Sequence, residues 1–450
     1  MAKTKTVYTC SNCGANYAQM IGKCFSCGSF NTINEEKITK SSNAVTRDQI
    51  EGHITPIRSV DSQEVARISV PGQELNRVLG GGLVPGSVIL LGGEPGIGKS
   101  TLLLQTALRM NQPVIYVSGE ESLNQIKMRG DRIGIKNDDC LLLNETCVES
   151  IINHLKKIKP AFAIIDSIQT LYSKYLESTP GTVSQIRETS ALLIQMAKQH
   201  HIPLFLVGHI TKDGQLAGPK LLEHMVDTVL QFEGETQYAY RLLRTLKNRF
   251  GSSMELGIYE MNSNGMREVL NPSELLITDR KENLSGISVL ASIEGNRPLM
   301  VETQALVSPA VYGTPQRNSN GFDLKRLNMI LAILEKRAAM QMGLNDVFVN
   351  IAGGLKIADP GADLALAASI CSSFTSIAVP AKMVFAAELG LSGELRGVNR
   401  LEQRLKEAEK LGYTHAMVSD QVDLDKTQYK IKLIQQDNIR KCIDMLFSAK

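Results

Sequence analysis

Gly92-Gly93-Glu94-Pro95-Gly96-Ile97-Gly98-Lys99-Ser100-Thr101 follows the apolar run Ser87-Val88-Ile89-Leu90-Leu91 and precedes Leu102-Leu103-Leu104-Gln105-Thr106-Ala107-Leu108. From Gly93 to Ser100 the spelling is G-x-x-x-x-G-K-S, between a strand-like run and a helix-like one, the context a phosphate-binding loop requires. Glycines let main-chain N–H groups converge on phosphate oxygens without Cβ clashes. The helix that follows directs its positive dipole end at the same anion. Lys99 is expected to reach the β- and γ-phosphates, and the Ser100 hydroxyl to complete a magnesium shell. Gly93, Glu94, Pro95, Gly96, Ile97, Gly98, Lys99, Ser100 and Thr101 are thus the expected cradle for ATP and Mg2+.

Outward from this loop, short apolar runs alternate with helical periods from about residue 67 to 275. Val88–Leu91, Val114–Val117, Phe162–Ile165 and Leu204–Val207 read as parallel strands covered on both faces. A helix is expected over Val183–Lys198, entered through Thr182-Val183-Ser184-Gln185 with capping-box spacing. The pattern predicts a doubly wound α/β domain. Asp166 ends the third strand, where a carboxylate holds magnesium. Ser118-Gly119-Glu120-Glu121 ends the second, and a glutamate there can orient the attacking water. Glu120 is the choice, with Glu121 in reserve; either could instead be a solvated acid at a helix start.

His209, after Leu204-Phe205-Leu206-Val207-Gly208, could sense the γ-phosphate or simply be a satisfied histidine at a sheet edge. Lys247 and Arg249, in Lys247-Asn248-Arg249-Phe250-Gly251, end a strand-like segment running from Tyr238. Two residues apart on a strand, they share a face and could reach a phosphate across a subunit boundary. By spacing alone a solvated basic hairpin is the simpler reading.

The chain has 450 residues, 43% hydrophobic, enough for two or three domains, and no run is long enough to span a bilayer. Its start lacks the apolar segment of a signal peptide, so a cytoplasmic protein is expected. The net charge of +3 argues neither for nor against nucleic acid, and any DNA-binding surface must be local. Four of the eight cysteines lie between residues 10 and 27. Cys10-Ser11-Asn12-Cys13 and Cys24-Phe25-Ser26-Cys27 are two C-x-x-C knuckles, which together complete a tetrahedral S4 shell suited to Zn2+. Four protein ligands close the site, so it is expected to be structural. Cys140, Cys147, Cys371 and Cys442 are expected to be buried thiols. The domains expected are a zinc ribbon over 1–34, a polar linker over 35–66, the ATPase domain over 67–275 and an α+β domain over 283–450.

Taken together, these residues resemble the bacterial RadA (Sms) family of DNA recombination and repair proteins. The resemblance covers essentially the whole chain: the four-cysteine ribbon, a RecA-like P-loop ATPase core and a Lon-protease-like carboxyl-terminal domain. Lys247-Asn248-Arg249-Phe250-Gly251 matches the K-N-R-F-G motif characteristic of the family, which displaces the bland reading of that segment. Leu79-Gly80-Gly81-Gly82-Leu83-Val84-Pro85-Gly86 is similar to the run before the loop in RecA-type and circadian-clock-type ATPases. The resemblance implies a homohexameric ring that encircles single-stranded DNA. It further implies ATP-driven movement and branch migration of branched intermediates made by RecA recombinase. By resemblance, Glu120 is the catalytic glutamate, His209 the phosphate sensor, and Lys247 and Arg249 a finger pair acting on a neighbour's ATP. The loop Thr211–Lys220 lies where such folds face DNA.

A Lon-like domain raises the alternative of an ATP-dependent protease. Ile357-Ala358-Asp359-Pro360-Gly361-Ala362-Asp363-Leu364-Ala365 resembles the strip carrying the Lon nucleophile, and Ala362 aligns with the serine. Glu402 aligns with the lysine. An alanine has no nucleophile and a glutamate cannot act as a neutral amine base, so the domain is expected to be a peptidase-inactive scaffold. Lys325, Arg326, Arg396 and Arg400 are its candidate DNA-facing bases.

Overall fold

The computed structural model describes residues 4–10, 15–26, 28–39, 56–59, 66–208, 221–234, 240–277, 284–310, 313–422 and 429–447. The chain divides into two compact units, Met1–Val269 and Leu270–Lys450.

The first unit opens with β1 (Thr4–Cys10), β2 (Asn16–Tyr17) and β3 (Ile33–Thr39), an antiparallel sheet in the order β2-β1-β3. β3 pairs with β1 from Ile33 to Thr39, so the ribbon continues past the boundary expected at residue 34. Glu35-Glu36-Lys37 looks like linker, but main-chain N–H and C=O groups can pair whatever the side chains are.

The larger α/β core follows as α1 (Gln73–Leu79), β4 (Val88–Gly93), α2 (Lys99–Leu108), β5 (Val114–Ser118), α3 (Leu123–Ile133) and β6 (Cys140–Asn144). It continues through α4 (Val148–Ile158), β7 (Phe162–Asp166), α5 (Val183–His200), β8 (Leu204–Val207) and α6 (Leu221–Met225). β9 (Thr228–Glu233), β10 (Tyr240–Asn248), β11 (Leu256–Asn262) and β12 (Gly265–Glu268) complete it. Nine strands form one sheet in the order β12-β11-β10-β9-β4-β8-β7-β5-β6. β9, β4, β8, β7, β5 and β6 run parallel, while β10, β11 and β12 are an antiparallel extension. The four expected strands are all present.

Strand alternation explains why these runs are apolar throughout. Ile89, Tyr116, Ile164 and Phe205 join one core cluster with Leu103 of α2. Their neighbours Val88, Ile115, Ala163 and Leu204 join another, with Ile151 of α4 and Leu193 of α5. Each buried Val, Leu or Ile contributes about 1.5–3 kcal/mol relative to exposure, against a span of about 1 kcal/mol for strand propensity. Burial on both faces therefore decides the strands.

The capping box expected at α5 does not form. Gln185 is fully buried, accepts from the Ser173 N–H at 2.9 Å and donates to the Ser178 carbonyl at 2.7 Å, while Thr182 makes no side-chain cap. Those long-range main-chain groups lie inside the fold and must be paired, which outweighs a local cap near solvent. A true capping box joins Ser122 and Gln125 at the start of α3.

The second unit begins with α7 (Ser273–Leu276), β13 (Ile287–Glu294), β14 (Arg297–Pro309), β15 (Arg317–Asn320), α8 (Leu324–Ala338), β16 (Asn345–Ile351) and α9 (Ala362–Thr375). It ends with β17 (Met383–Ala386), β18 (Glu388–Leu389), β19 (Leu395–Arg396), α10 (Leu401–Lys410), β20 (His415–Ser419), β21 (Lys432–Gln436) and α11 (Ile439–Phe447). Its seven-stranded mixed sheet has the order β15-β16-β14-β13-β17-β20-β21. α9 is buried from Ala362 through Ser372, as a helix without a polar face must be. The boundary expected at residue 275 shifts to Val269/Leu270, because the Ser273 hydroxyl accepts from the Met300 N–H at 3.0 Å and ties α7 to β14.

Among the described residues, no helix is long and apolar enough to cross a membrane. Cys147, Cys371 and Cys442 are buried free thiols, whereas Cys140 is only half-buried. Burial pushes Cys140 up to about 11.

Candidate functional site

Parallel pairing brings the decisive loops to one edge of the sheet. Ser118 is in register with Asp166, Leu91 with Val207, and Gly93 with Phe232, so β4, β5, β7, β8 and β9 all end there. Ligands of open α/β sheets bind at such carboxyl-terminal edges. After β4 the chain turns through Gly96 (φ 78°) and Gly98 (φ 113°), left-handed conformations that strain any residue with a Cβ. Gly98 is the N-cap of α2, so Lys99 opens that helix.

Lys99 is 4% exposed, and its Nζ donates to the carbonyls of Gly93 (2.8 Å) and Glu94 (3.0 Å). Burial pushes the ammonium pKa down, and the charges of Asp166 and Glu120 pull it back up. Both carboxylates therefore lie within electrostatic reach of Lys99. Glu120 and Glu121 part company here. The Ser167 hydroxyl donates to Glu120 Oε1, beside Asp166. Glu121 forms an ion pair with Arg129 of α3, and its N–H donates to Ser118 Oγ at 3.0 Å.

Asp166 closes β7 almost fully buried, and Tyr116 of β5 donates its hydroxyl proton to Asp166 Oδ2 at 2.5 Å. Burial first, then the Asp166 charge, raises the tyrosine well above its ordinary value, so it stays a neutral donor. Sequence reading passed Tyr116 over as one more strand residue. Its place two residues before Ser118, on the same face, is the signal that could have found it. A serine hydroxyl and an aspartate carboxylate are hard oxygen donors of the kind Mg2+ takes.

Lys247 and Arg249 sit at the opposite edge. Asn248 pairs with Thr228, which pairs with Ile89 near the start of β4, four residues before Gly93. That is about 13 Å along the strand, at about 3.3 Å per residue. Lys247 Nζ donates to the carbonyls of Glu223 and Val226, both at 2.7 Å, at the end of α6. Arg249 pairs with Asp227 at 3.2 Å. The expected shared strand face is corrected: β10 ends at Asn248, a bulge separates Thr245 from Lys247, and Arg249 lies beyond the strand. A bulge re-aims the side chains that follow it. Asn248 holds the motif to α1, donating to the Leu79 carbonyl at 3.2 Å, and Gly251 packs against Gly80, where an added Cβ would lie 3.2 Å from Gly80 Cα. Gly80 itself is left-handed (φ 79°) and closes α1.

In the ribbon, Cys10 and Cys24 are fully buried in one cluster with Ile33. The Cys10 N–H donates to Ala15 O (2.9 Å) and the Cys24 N–H to Ser29 O (2.8 Å). Two thiols buried together at paired knuckles fit a thiolate-bound metal. Cys13, Cys27, His209, the loop Thr211–Lys220 and Tyr238 lie outside the described residues.

In the second unit, Ala362 is fully buried at the start of α9, whereas Glu402 faces solvent on α10. A buried ion pair between Asp359 and Arg404 stands beside Ala362, with Arg404 also donating to the Ala291 carbonyl at 2.7 Å. Arg326, expected as a DNA-facing base, is instead committed to buried Asp363 through two 2.7 Å hydrogen bonds. A guanidinium matches a carboxylate two-point, so burying Asp363 required that partner. Arg396 bonds Glu394 at 2.7 Å, and Arg400 bonds the Gly295 carbonyl at 2.7 Å.

Profiles of three families match the chain: "AAA domain" over residues 55–215, "Rubredoxin metal binding domain" over 8–35 and "Subunit ChlI of Mg-chelatase" over 323–422. The chain is 46% identical over 428 residues to the DNA repair protein RadA of Bacillus subtilis (strain 168), covering 93% of each. It is 47% identical over 427 residues to the DNA repair protein RadA of Halalkalibacterium halodurans, again covering 93% of each. Among solved structures, a KaiC-like protein from Pyrococcus horikoshii aligns with 46% of this chain and 100% of its own, at 19% identity and a TM-score of 0.39.

Proposed function

Because the chain belongs to the RadA family of DNA repair proteins, we propose that it is a DNA-stimulated ATPase acting as a ring-shaped translocase on recombination intermediates. The observation that carries this reading is the division of its machinery. Lys99, Asp166 and Glu120 converge at one edge of the sheet, while Lys247 and Arg249 stand at the other. Within one subunit the two groups cannot meet, so each ATP would need a neighbour.

In this mechanism the main-chain N–H groups of Gly96–Thr101 bind the phosphates, and Lys99 leaves the loop carbonyls for the phosphate oxygens. Ser100 and Asp166 would hold Mg2+, which would supply neutralisation of the charge that develops on the phosphates. Glu120, oriented by Ser167, positions the attacking water. Lys247 and Arg249 of one subunit stabilise transition-state charge at the next. His209 and the loop after it would report hydrolysis to single-stranded or branched DNA. The ring would be a homohexamer in the cytoplasm, driving branch migration of strand-exchange intermediates made by RecA. Cys10, Cys13, Cys24 and Cys27 would hold a structural Zn2+.

A Lon-type protease finds no support here, since the aligned positions are a buried alanine and an exposed glutamate. The test is ATP hydrolysis with and without single-stranded DNA, for the native protein and for Lys99→Ala. Stimulation by DNA that disappears in Lys99→Ala is the expected result. Hydrolysis indifferent to DNA would remove the motor assignment.

A further inference from the structure

Tyr116 is the one polar side chain in the β5 run Val114–Val117, and it is 1% exposed. A hydroxyl buried in such a run needs a partner, and it donates to Asp166 Oδ2 at 2.5 Å.

This bond has a chemical consequence. A carboxylate that ligates a cation or its waters is better oriented when its other oxygen is already satisfied. The phenol proton does this for Oδ2 and leaves Oδ1 available. We infer that Tyr116 is a positioning residue for magnesium, holding Asp166 by Oδ2 so that Oδ1 is left to serve the cation or its waters. The inference rests on the reading of this loop as a Mg2+–nucleotide site.

Tyr116→Phe removes only the hydroxyl and keeps the ring that fills the core. The experiment uses the full chain and a fluorescent anthraniloyl-ADP, titrated first in EDTA and then across a Mg2+ series, with thermal melting alongside. The Mg2+ concentration giving half of the metal-dependent gain in affinity should rise about tenfold, the lower end of what losing a ligand-orienting partner costs. Affinity in EDTA should stay within twofold of native.

An unchanged Mg2+ midpoint in Tyr116→Phe overturns the inference. So does a parallel fall of affinity in EDTA and in Mg2+, or a loss of folding on melting, since either makes the tyrosine a core residue only. If the native protein itself gains no affinity from Mg2+, the underlying reading of the site has failed, and that outcome is separable from a failure of Tyr116.

Discussion

Arg249 Nη1 lies 3.2 Å from Asp227 Oδ1, on a carboxylate whose other oxygen accepts from the Val88 N–H at 3.1 Å. Val88 begins the strand that ends in the phosphate-binding loop. One strand thus carries a subunit's own nucleotide cradle at its far end and the anchor of the proposed finger at its near end. The whole strand between the two ends is buried.

Arg249→Ala should leave nucleotide affinity within about twofold and lower DNA-stimulated hydrolysis by about a thousandfold, the lower end for a finger cation. Mixing it with Lys99→Ala subunits should restore activity, since intact fingers would then face intact loops. Failure to recover at every mixing ratio, with mixed assembly verified by native mass spectrometry, counts against action in trans.

Glu120→Gln should lower the hydrolysis rate by about a hundredfold or more while nucleotide still binds. Glu121→Gln should change the rate less than about threefold, because that carboxylate is spent on Arg129. Single-turnover rates for the two variants decide the matter, and a larger loss in Glu121→Gln reverses the assignment.

Asp359 offers a pH test in the second unit. Burial alone would push its carboxyl up, but hydrogen bonds and charge from Arg404 outweigh this and hold it below the ordinary range. A depressed folded value stabilises the protein above the unfolded pKa of about 3.9 and ceases to do so as pH falls through the folded value. Asp359→Ala should cost about 3–5 kcal/mol at neutral pH, since it strands a buried guanidinium. The difference from native in denaturant melts should stay constant from about pH 8 to 5 and shrink below about pH 4. A gap that widens on acidification would falsify this account.

Cys24→Ser should reduce bound zinc to background and raise amide exchange across β1, with nucleotide affinity unchanged. Closed thiolate sites supply the folding energy of small ribbons. Zinc retained at the native level would mean that Cys24 is not a ligand.

Much of the site was legible in one dimension. The loop at Gly93–Ser100 and the strand-ending Asp166 are each a local spelling with a local physical cause, glycine freedom in one case and an apolar run stopped by a carboxylate in the other. The sequence favours Glu120 and holds Glu121 in reserve, but it does not contain the reason the fold supplies: adjacent residues share their local properties, and only packing sets Glu120 beside Ser167 and Glu121 against Arg129. Tyr116 was invisible for a related reason. Its partner Asp166 is distant in sequence, and a tyrosine in an apolar run looks like core. Thr182–Gln185 misled, since capping spacing describes a local option and Gln185 had a better offer from buried main-chain groups.

The sequence by itself determined the chemistry available: a triphosphate cradle, oxygen donors for a hard cation, paired thiol knuckles and a carboxyl-terminal domain without a peptidase dyad. Those follow from residue type and short spacing, which fix covalent reach and local backbone conformation. Tertiary structure decided the division of labour. Parallel pairing carried Lys99, Asp166 and Glu120 to one edge of the sheet, and the antiparallel return of β10 left Lys247 and Arg249 at the other. Strand direction and register are properties of the packed sheet, set by which faces must be buried, and no local spelling contains them.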